Sequence, residues 1–382
     1  MLEQSPARTG VSAAAKDVAA VAERFAAEGE SARRLHPEVV EALIGGGFAR
    51  HFVPTECGGA AATFQELTGA VATIGEACTA SAWCASLAAN LARMAAFLPA
   101  AGYREIWADG PDVLVVGSLA PVGRAQPVPG GWQLSGQWPY ISAVDFSDWA
   151  LVCAMVPAEG ERPVAKCFAV PRSAYTVVDT WNSVGMRATG SNHLVAEDVF
   201  VPAARSFDRA DLLAGRPVDA TADCHTVPLE AANGLSFAAP ALGAARGALS
   251  AWSGHIGGKL RAAGSRPNAP GPSRTWYALA AARSSGEIDA AQLLIERVAT
   301  VADLGAAGTS LTTTRNLRDC AFAVDTLVTA VNRLYQTVGT TGQSSAGSLE
   351  RIWRDVNAAS SHVALQFEPA ANAYAGPRLW ET

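Results

Sequence analysis

The chain has no apolar run approaching the roughly 18–20 residues that cross a bilayer. Its richest stretch, Ala82 to Leu98, is interrupted by Asn90 and Arg93 and so reads as a buried helix. The first residues, MLEQSPARTG, carry no basic region followed by an apolar one. No secretory signal is therefore expected, and the cytoplasm is the default location. Lysine is scarce, and no Lys/Arg run forms the basic stripe of a nucleic-acid binder. The 35 acidic and 29 basic residues are spread along the chain and leave a net charge of −6. The seven cysteines (Cys57, Cys78, Cys84, Cys153, Cys167, Cys224 and Cys320) include no C-x-x-C pair. They form no Cys/His cluster with metal-ligand spacing, so no metal is expected and they read as reduced, mostly buried residues. There is no Gly-x-Gly-x-x-Gly fingerprint at a strand–helix junction, which leaves both a Rossmann NAD site and a Walker loop unsupported.

What is present is apolar surface in quantity: 382 residues, 49% of them hydrophobic, enough for a large core. Three zones divide it. Residues 1–110 read as a helical domain, with Phe64, Leu67, Val71 and Ile74, then Leu87, Leu91, Met94 and Leu98, recurring at near-helical intervals. Pro37 opens one helix after His36, where a missing N–H costs nothing. Residues 111–225 change character. Short β-rich runs (Val113–Val116, Trp132–Leu134, Trp149–Val152, Cys167–Val170, Tyr175–Val178 and His193–Val201) are separated by turns such as Pro129-Gly130-Gly131. Strands without helices between them predict a small antiparallel barrel or sandwich. Residues 226–382 return to helix, with stripes Ile288, Leu294, Val298, Val301 and Leu317, Val324, Leu327, Val331, Leu334. The segment Gly264–Ser273 reads as an exposed loop.

The motifs are more specific than the zones. Pro37-Glu-Val-Val-Glu-Ala-Leu-Ile-Gly-Gly-Gly-Phe-Ala-Arg50 is followed by Val53-Pro-Thr-Glu-Cys-Gly-Gly59. The β zone holds Leu134-Ser-Gly-Gln-Trp-Pro-Tyr-Ile-Ser142, Val184-Gly-Met-Arg-Ala-Thr-Gly-Ser191 and Asp198-Val-Phe-Val-Pro202, and Arg351-Ile-Trp-Arg-Asp355 comes last. In order and spacing, over about residues 30 to 365, this set resembles the acyl-CoA dehydrogenase superfamily. The resemblance implies a mainly α fold with a β-domain: an N-terminal helical domain, a middle β-barrel or sandwich and a C-terminal four-helix bundle, assembled as a homotetramer through that bundle. True acyl-CoA dehydrogenases carry a glutamate base just after the Arg-Asp pair. Here Asn357-Ala-Ala-Ser-Ser-His-Val-Ala-Leu365 has no carboxylate, and Glu368 falls past the expected position. Arg354-Asp355 with His362 seven residues on is similar to the two-component flavin-dependent monooxygenases, as are Trp138-x-x-x-Ser142 and Thr79-Ala-Ser-Ala-Trp83.

That branch implies an oxygenase component using reduced flavin (FMNH2 or FADH2) and O2, supplied by a separate NAD(P)H:flavin reductase. It would hydroxylate an aromatic small molecule, phenolic or polyketide-like, through a flavin C4a-hydroperoxide. His362 and Ser142 are the catalytic candidates. Asp355 and His362 are seven apart on a predicted helix, so they share a face two turns apart. The small Ala358 and Ala359 between them leave room for substrate. An imidazole can remove a phenolic proton or steer a proton to the peroxide; a histidine satisfied within the core is the plain alternative. Ser142 is placed by the resemblance at flavin N5, although a strand-end serine is ordinarily a turn cap. The ring would be cradled by Trp83, Gly117 to Pro121 with Ser118 and Ala120, and Trp138, Tyr140, Ile141 and Ser142. Its phosphate would meet Gly339, Thr340 and Thr341, with Arg261, Arg266 or Arg274 as weaker contributors. Several phenol hydroxylases of this branch have a second histidine on the helix that here spans Ser81 to Leu98. Leu91 is the nearest match, which makes a more apolar pocket and admits N-oxygenation of an amine such as an amino sugar as the alternative. An acyl-CoA dehydrogenase with a displaced base, and a scaffold that has lost its flavin, complete the readings.

Overall fold

The computed structural model describes residues 10–158, 162–264, 273–309, 312–344 and 347–380. Five helices come first: α1 (Val11–Ala32), α2 (Pro37–Gly45), α3 (Phe64–Ala77), α4 (Thr79–Ala95) and α5 (Ala100–Ile106). Pro37 occupies the first turn of α2, and the His36 side chain accepts from the Glu38 N–H. Thr63 caps α3 by accepting from the Glu66 N–H at 3.2 Å. The α4 stretch is buried nearly throughout, and its two polar interruptions are accommodated inside. Asn90 donates to Ser86 O at 2.9 Å, and fully buried Arg93 donates to Val227 O at 3.2 Å.

Seven strands follow: β1 (Val115–Val128), β2 (Gly131–Ile141), β3 (Trp149–Val156), β4 (Val164–Pro171), β5 (Thr176–Val178), β6 (Asn192–Pro202) and β7 (Ser206–Asp208). Their order is β5-β6-β2-β1-β3-β4-β7. Six correspond to expected β-rich runs, whereas three-residue β7 carries too little pattern to be legible. One pairing departs from the all-antiparallel expectation: β1 and β3 are parallel, Val115 opposite Trp149. The hairpin brings the end of β2 back beside the start of β1. The link 142–148 then passes to the other side of β1, so β3 must leave in the same direction as β1. Asp148 fastens this crossover, accepting from the Leu114 N–H at 2.8 Å.

The helical remainder is α6 (Arg209–Ala214), α7 (Leu229–Ala232), α8 (Leu235–Gly264), α9 (Arg274–Ala302), α10 (Gly305–Thr309), α11 (Thr313–Thr337), α12 (Ser348–Ala359) and α13 (Phe367–Leu379). Long α8 packs against α3, α4, α9, α11 and α12 and so ties the early helices to the late ones. Gly264 ends α8 and Ser273 caps α9; the expected loop between them, with Arg266, lies outside the described residues. Two buried apolar clusters result. The larger gathers α1–α4, the inner sheet and the late helices, and the smaller joins the end of α4 to β3, β4, β7 and α6. No helix among the described residues is long and apolar enough to cross a membrane.

Candidate active site

Where the two clusters meet, a cavity of about 930 Å³ opens between α4, the starts of β1 and α8, the crossover after β2 and the end of α12. Trp83, Leu91, Ser118, Ala120, Tyr140 and Ser142 line it, as do Ala358, Ala359 and His362. Trp138 and Ile141 do not. Both are fully buried, and the Trp138 indole donates to Cys153 O at 2.7 Å. The reason is local: the register slips between Trp138 and Ile141, and Tyr140 takes a φ of 64°. That break in the strand turns Tyr140 and Ser142 to the cavity and leaves Trp138 and Ile141 in the core. Gly339, Thr340 and Thr341 also lie elsewhere, after α11, with Thr341 beside His255. Arg261 and Arg274, at facing ends of α8 and α9, are absent from the described lining.

His362 is not on a helix with Asp355. Helix α12 ends at Ala359, and His362 caps the 3-10 turn Val363–Leu365. The helix stops because serine hydroxyls bond carbonyls three residues back: Ser360 to Asn357 O at 3.0 Å and Ser361 to Ala358 O at 2.7 Å. The imidazole lies on Phe237, ring centroids 3.9 Å apart, with the Trp83 ring edge-on at 5.7 Å. Burial against these rings pushes its pKa down to about 4, so it is neutral at pH 7. Its Nδ1 accepts the Ala364 N–H at 3.2 Å. That pattern assigns the ring proton to Nε2, which makes no hydrogen bond with any described residue. The free nitrogen is thus a donor, so of the two roles the sequence leaves open for this imidazole the geometry suits giving a hydrogen bond or proton better than taking one.

Ser142 ends a chain of hydroxyls whose direction is fixed. Thr189 Oγ1 donates to the Met186 carbonyl at 2.8 Å, and a carbonyl can only accept. Ser191, 2.6 Å from Thr189, must therefore donate to it, and Ser142, 2.8 Å from Ser191, must donate to Ser191. The Trp83 indole N–H donates to Ser142 at 3.2 Å. A hydroxyl has one proton and two lone pairs, so Ser142 keeps one lone pair and nothing to give. What it offers the cavity is an acceptor.

The Arg-Asp pair of α12 holds this arrangement from behind. Buried Asp355 accepts from the Met186 N–H at 2.5 Å, anchoring the residue whose carbonyl ends the hydroxyl chain. Burial raises its pKa to about 7. Arg354 binds Glu30 and Glu350 and donates to Val184 O at 2.7 Å. Thr189 and Ser191 stood in the motif Val184–Ser191 but had no site role in the sequence. Phe237 and Arg209 of the lining carried no signal at all, because their approach to the cavity is purely tertiary.

Residues 235–367 match the family model described as acyl-CoA dehydrogenase, C-terminal domain. The chain is 31% identical over 371 residues to the FADH(2)-dependent resorcinol hydroxylase, oxygenase component, of Rhizobium sp. (strain MTP-10005), covering 92% of this chain and 90% of the relative. It is 32% identical over 356 residues to the flavin-dependent monooxygenase, oxygenase subunit HsaA, of Rhodococcus jostii, with 91% and 93% covered. Among solved structures, 3-HSA hydroxylase from Rhodococcus sp. RHA1 superposes with a TM-score of 0.88 at 28% identity, over 96% of each chain. XiaF from Streptomyces sp., in complex with FADH2 and glycerol, superposes with a TM-score of 0.86 at 27% identity, over 97% of this chain and 95% of XiaF. The fold is therefore that of the acyl-CoA dehydrogenases. Within it, the chain belongs to the family of flavin-dependent monooxygenases that act as oxygenase components, and it is an enzyme of that class.

Proposed function

We propose that this chain is the oxygenase of a two-component system that hydroxylates a phenolic aromatic with reduced flavin and O2, His362 and Ser142 lying at the reacting centre. The observation that carries the reading is the lone pair left on Ser142 by its one-way hydroxyl chain. Reduced flavin bears a hydrogen on N5 and oxidised flavin does not, so an acceptor-only hydroxyl complements the reduced form. The residues present fit such a ring: Trp83 and Tyr140 offer aromatic walls, and Ser118 and Ala120 present the start of β1. When bound, reduced flavin would supply the two electrons that O2 needs, one oxygen atom entering the ring of the substrate and the other leaving as water.

The chain's own part is to position and to exclude water. The His362 Nε2–H faces an apolar enclosure and donates to the substrate oxygen, which stabilises the phenolate over the phenol. A phenolate is the more electron-rich partner for an electrophilic oxygen. No carboxylate stands in the described lining, which speaks against abstraction of a proton beside an acyl thioester. Reduced flavin would come from a separate NAD(P)H:flavin reductase, in keeping with the missing dinucleotide fingerprint and the component names of the relatives. Homotetrameric assembly finds support in Leu279, Leu293 and Leu304, large apolar side chains exposed on and beside α9.

The test is an anaerobic titration with photoreduced and with oxidised flavin, followed by 18O2 and a panel of simple phenols. Tight binding of the reduced form, weaker binding of the oxidised form and one 18O per hydroxylated product are expected. Equal affinity for both forms, with no labelled product, would remove the proposal.

A further inference from the structure

Arg209 is the one formally charged side chain in the described wall of the cavity, His362 being neutral. Its Nε is buried without a hydrogen-bond partner, and the guanidinium forms no ion pair with any described residue. The acids beside it are engaged elsewhere: Asp208 with Lys166 at 2.6 Å and Asp211 with Arg216 at 3.2 Å. Nor does Arg209 serve its own helix. It is the first residue of α6, where a positive side chain opposes the helix dipole. A half-buried cation with no anion is costly to keep, so a partner that arrives with the ligand accounts for it.

Its position narrows the partner. Arg209 follows β7 directly and shares its end of the cavity with Leu91, Met94, Leu119 and Leu229, which pack on the smaller apolar cluster. Trp83 and Phe237 belong to the larger cluster; both rings pack on His362, and Trp83 donates to Ser142, which gathers these four residues away from the Arg209 side. On the Arg209 side the wall is leucine and methionine, suited to an aryl or alkyl spacer and unsuited to the polyol chain of a flavin. Asn233, one turn beyond Leu229, lines the same wall with a carboxamide that bonds no described residue. An ammonium group would be repelled here.

We propose that Arg209 is an anion subsite for the substrate, and that the enzyme takes phenolic carboxylic acids with the ring toward His362 and the carboxylate on the guanidinium. The inference rests on the reading of this cavity as the substrate site. A guanidinium fork pairs a carboxylate through two parallel N–H···O bonds, and Asn233 can donate to the same group.

The probes are 3-(4-hydroxyphenyl)propanoate and its primary amide, measured by equilibrium dialysis against the full chain under anaerobic conditions with photoreduced FMN. The wild type should bind the acid about ten- to a hundred-fold more tightly than the amide, the range of a hydrogen bond to a charged group. Arg209→Met should erase that preference without weakening FMNH2 binding, and Arg209→Lys should restore part of it. Because the charge is unpaired, neither substitution should lower the melting temperature. Two results overturn the proposal: a wild type that binds reduced flavin but does not distinguish acid from amide, or an Arg209→Met variant that loses affinity for FMNH2 and not for reduced riboflavin, which would give the guanidinium to the flavin phosphate. An Arg209-dependent preference for the acid in a protein that binds no reduced flavin would instead uphold the anion subsite and defeat the flavin reading.

Discussion

Trp83 of α4 donates its indole N–H to Ser142 of the sheet crossover at 3.2 Å, so helix and sheet jointly fix one hydroxyl. With its proton directed to Ser191, that hydroxyl can only receive. Ser142→Ala should leave the fold intact and raise the H2O2 released per product. Leaving a buried partner without its hydrogen bond costs about 1–3 kcal/mol, equivalent to roughly a five- to 150-fold change in coupling. Peroxide yield and product are measured together; an unchanged ratio would make Ser142 a turn cap alone.

The direction of the chain is testable one step further away. Thr189→Val keeps the shape and removes the group that sets the polarity. Ser191 then loses its acceptor, and Ser142 becomes free to donate. The preference for reduced over oxidised flavin should narrow, as read by paired anaerobic titrations, while melting temperature changes little. A preference equal to that of the wild type would show that Thr189 has no bearing on the flavin face.

For His362, donor and base separate by substitution. Glutamine can place an N–H near the Nε2 position but cannot accept a phenolic proton at neutral pH. His362→Gln should retain most hydroxylation, whereas His362→Ala should lose about ten- to a hundred-fold, the worth of a hydrogen bond to a charged oxygen. The Ala variant should recover as pH rises toward a phenol's own pKa of about 10. Should glutamine prove as inactive as alanine, the imidazole is acting as a base.

Asp355 predicts a pH-dependent stability. Its carboxyl is raised from 3.8 to about 7 by burial, so the folded state holds a proton that the unfolded state releases between those values. That contribution is present in full below about pH 4 and is lost as pH rises through about 7. Asp355→Asn keeps an acceptor for the Met186 N–H without the charge. The variant should gain stability relative to the wild type as pH increases from 5 to 8, by denaturant midpoint. A difference that is flat across this range would contradict the assignment.

Trp138 is clamped between two glycines. A Cβ on Gly123 would stand 2.3 Å from its ring, and one on Gly136 2.7 Å. The indole cannot retreat, because its N–H is tied to Cys153 O at 2.7 Å. Gly123→Ala should therefore cost about 1–3 kcal/mol of stability, typical of overpacking. Chemical denaturation checks it, and a neutral result would mean that the sheet yields.

What the sequence made legible was whatever repeats locally. Phe64, Leu67, Val71 and Ile74 all face inward on α3, and Leu91 and Met94 are buried on α4. Six strands are local alternations and could be read. The parallel β1–β3 pair could not, because it follows from where the 142–148 link crosses. The end of α12 was encoded in Ser360-Ser361 but is outweighed by the helical spacing before it. Ser142 and His362 were found through resemblance, while Trp138 was displaced from the cavity by a strand irregularity at Tyr140. Arg209 and Phe237 belong to separate helices that only packing brings to one wall.

The depressed His362 pKa of about 4 has a bearing on how turnover responds to acidity. With no carboxylate beside it in the described wall, the lining offers no acid or imidazole that changes charge near neutrality. Asp355, one peptide behind the wall, is the neighbouring group that does. In an Asp355→Asn background, an inflection in rate between pH 5 and 8 would belong to the guest rather than the host. It should then slide along the axis when one phenol is exchanged for a more acidic one, so that the enzyme acts as an indicator of its own substrate's ionisation.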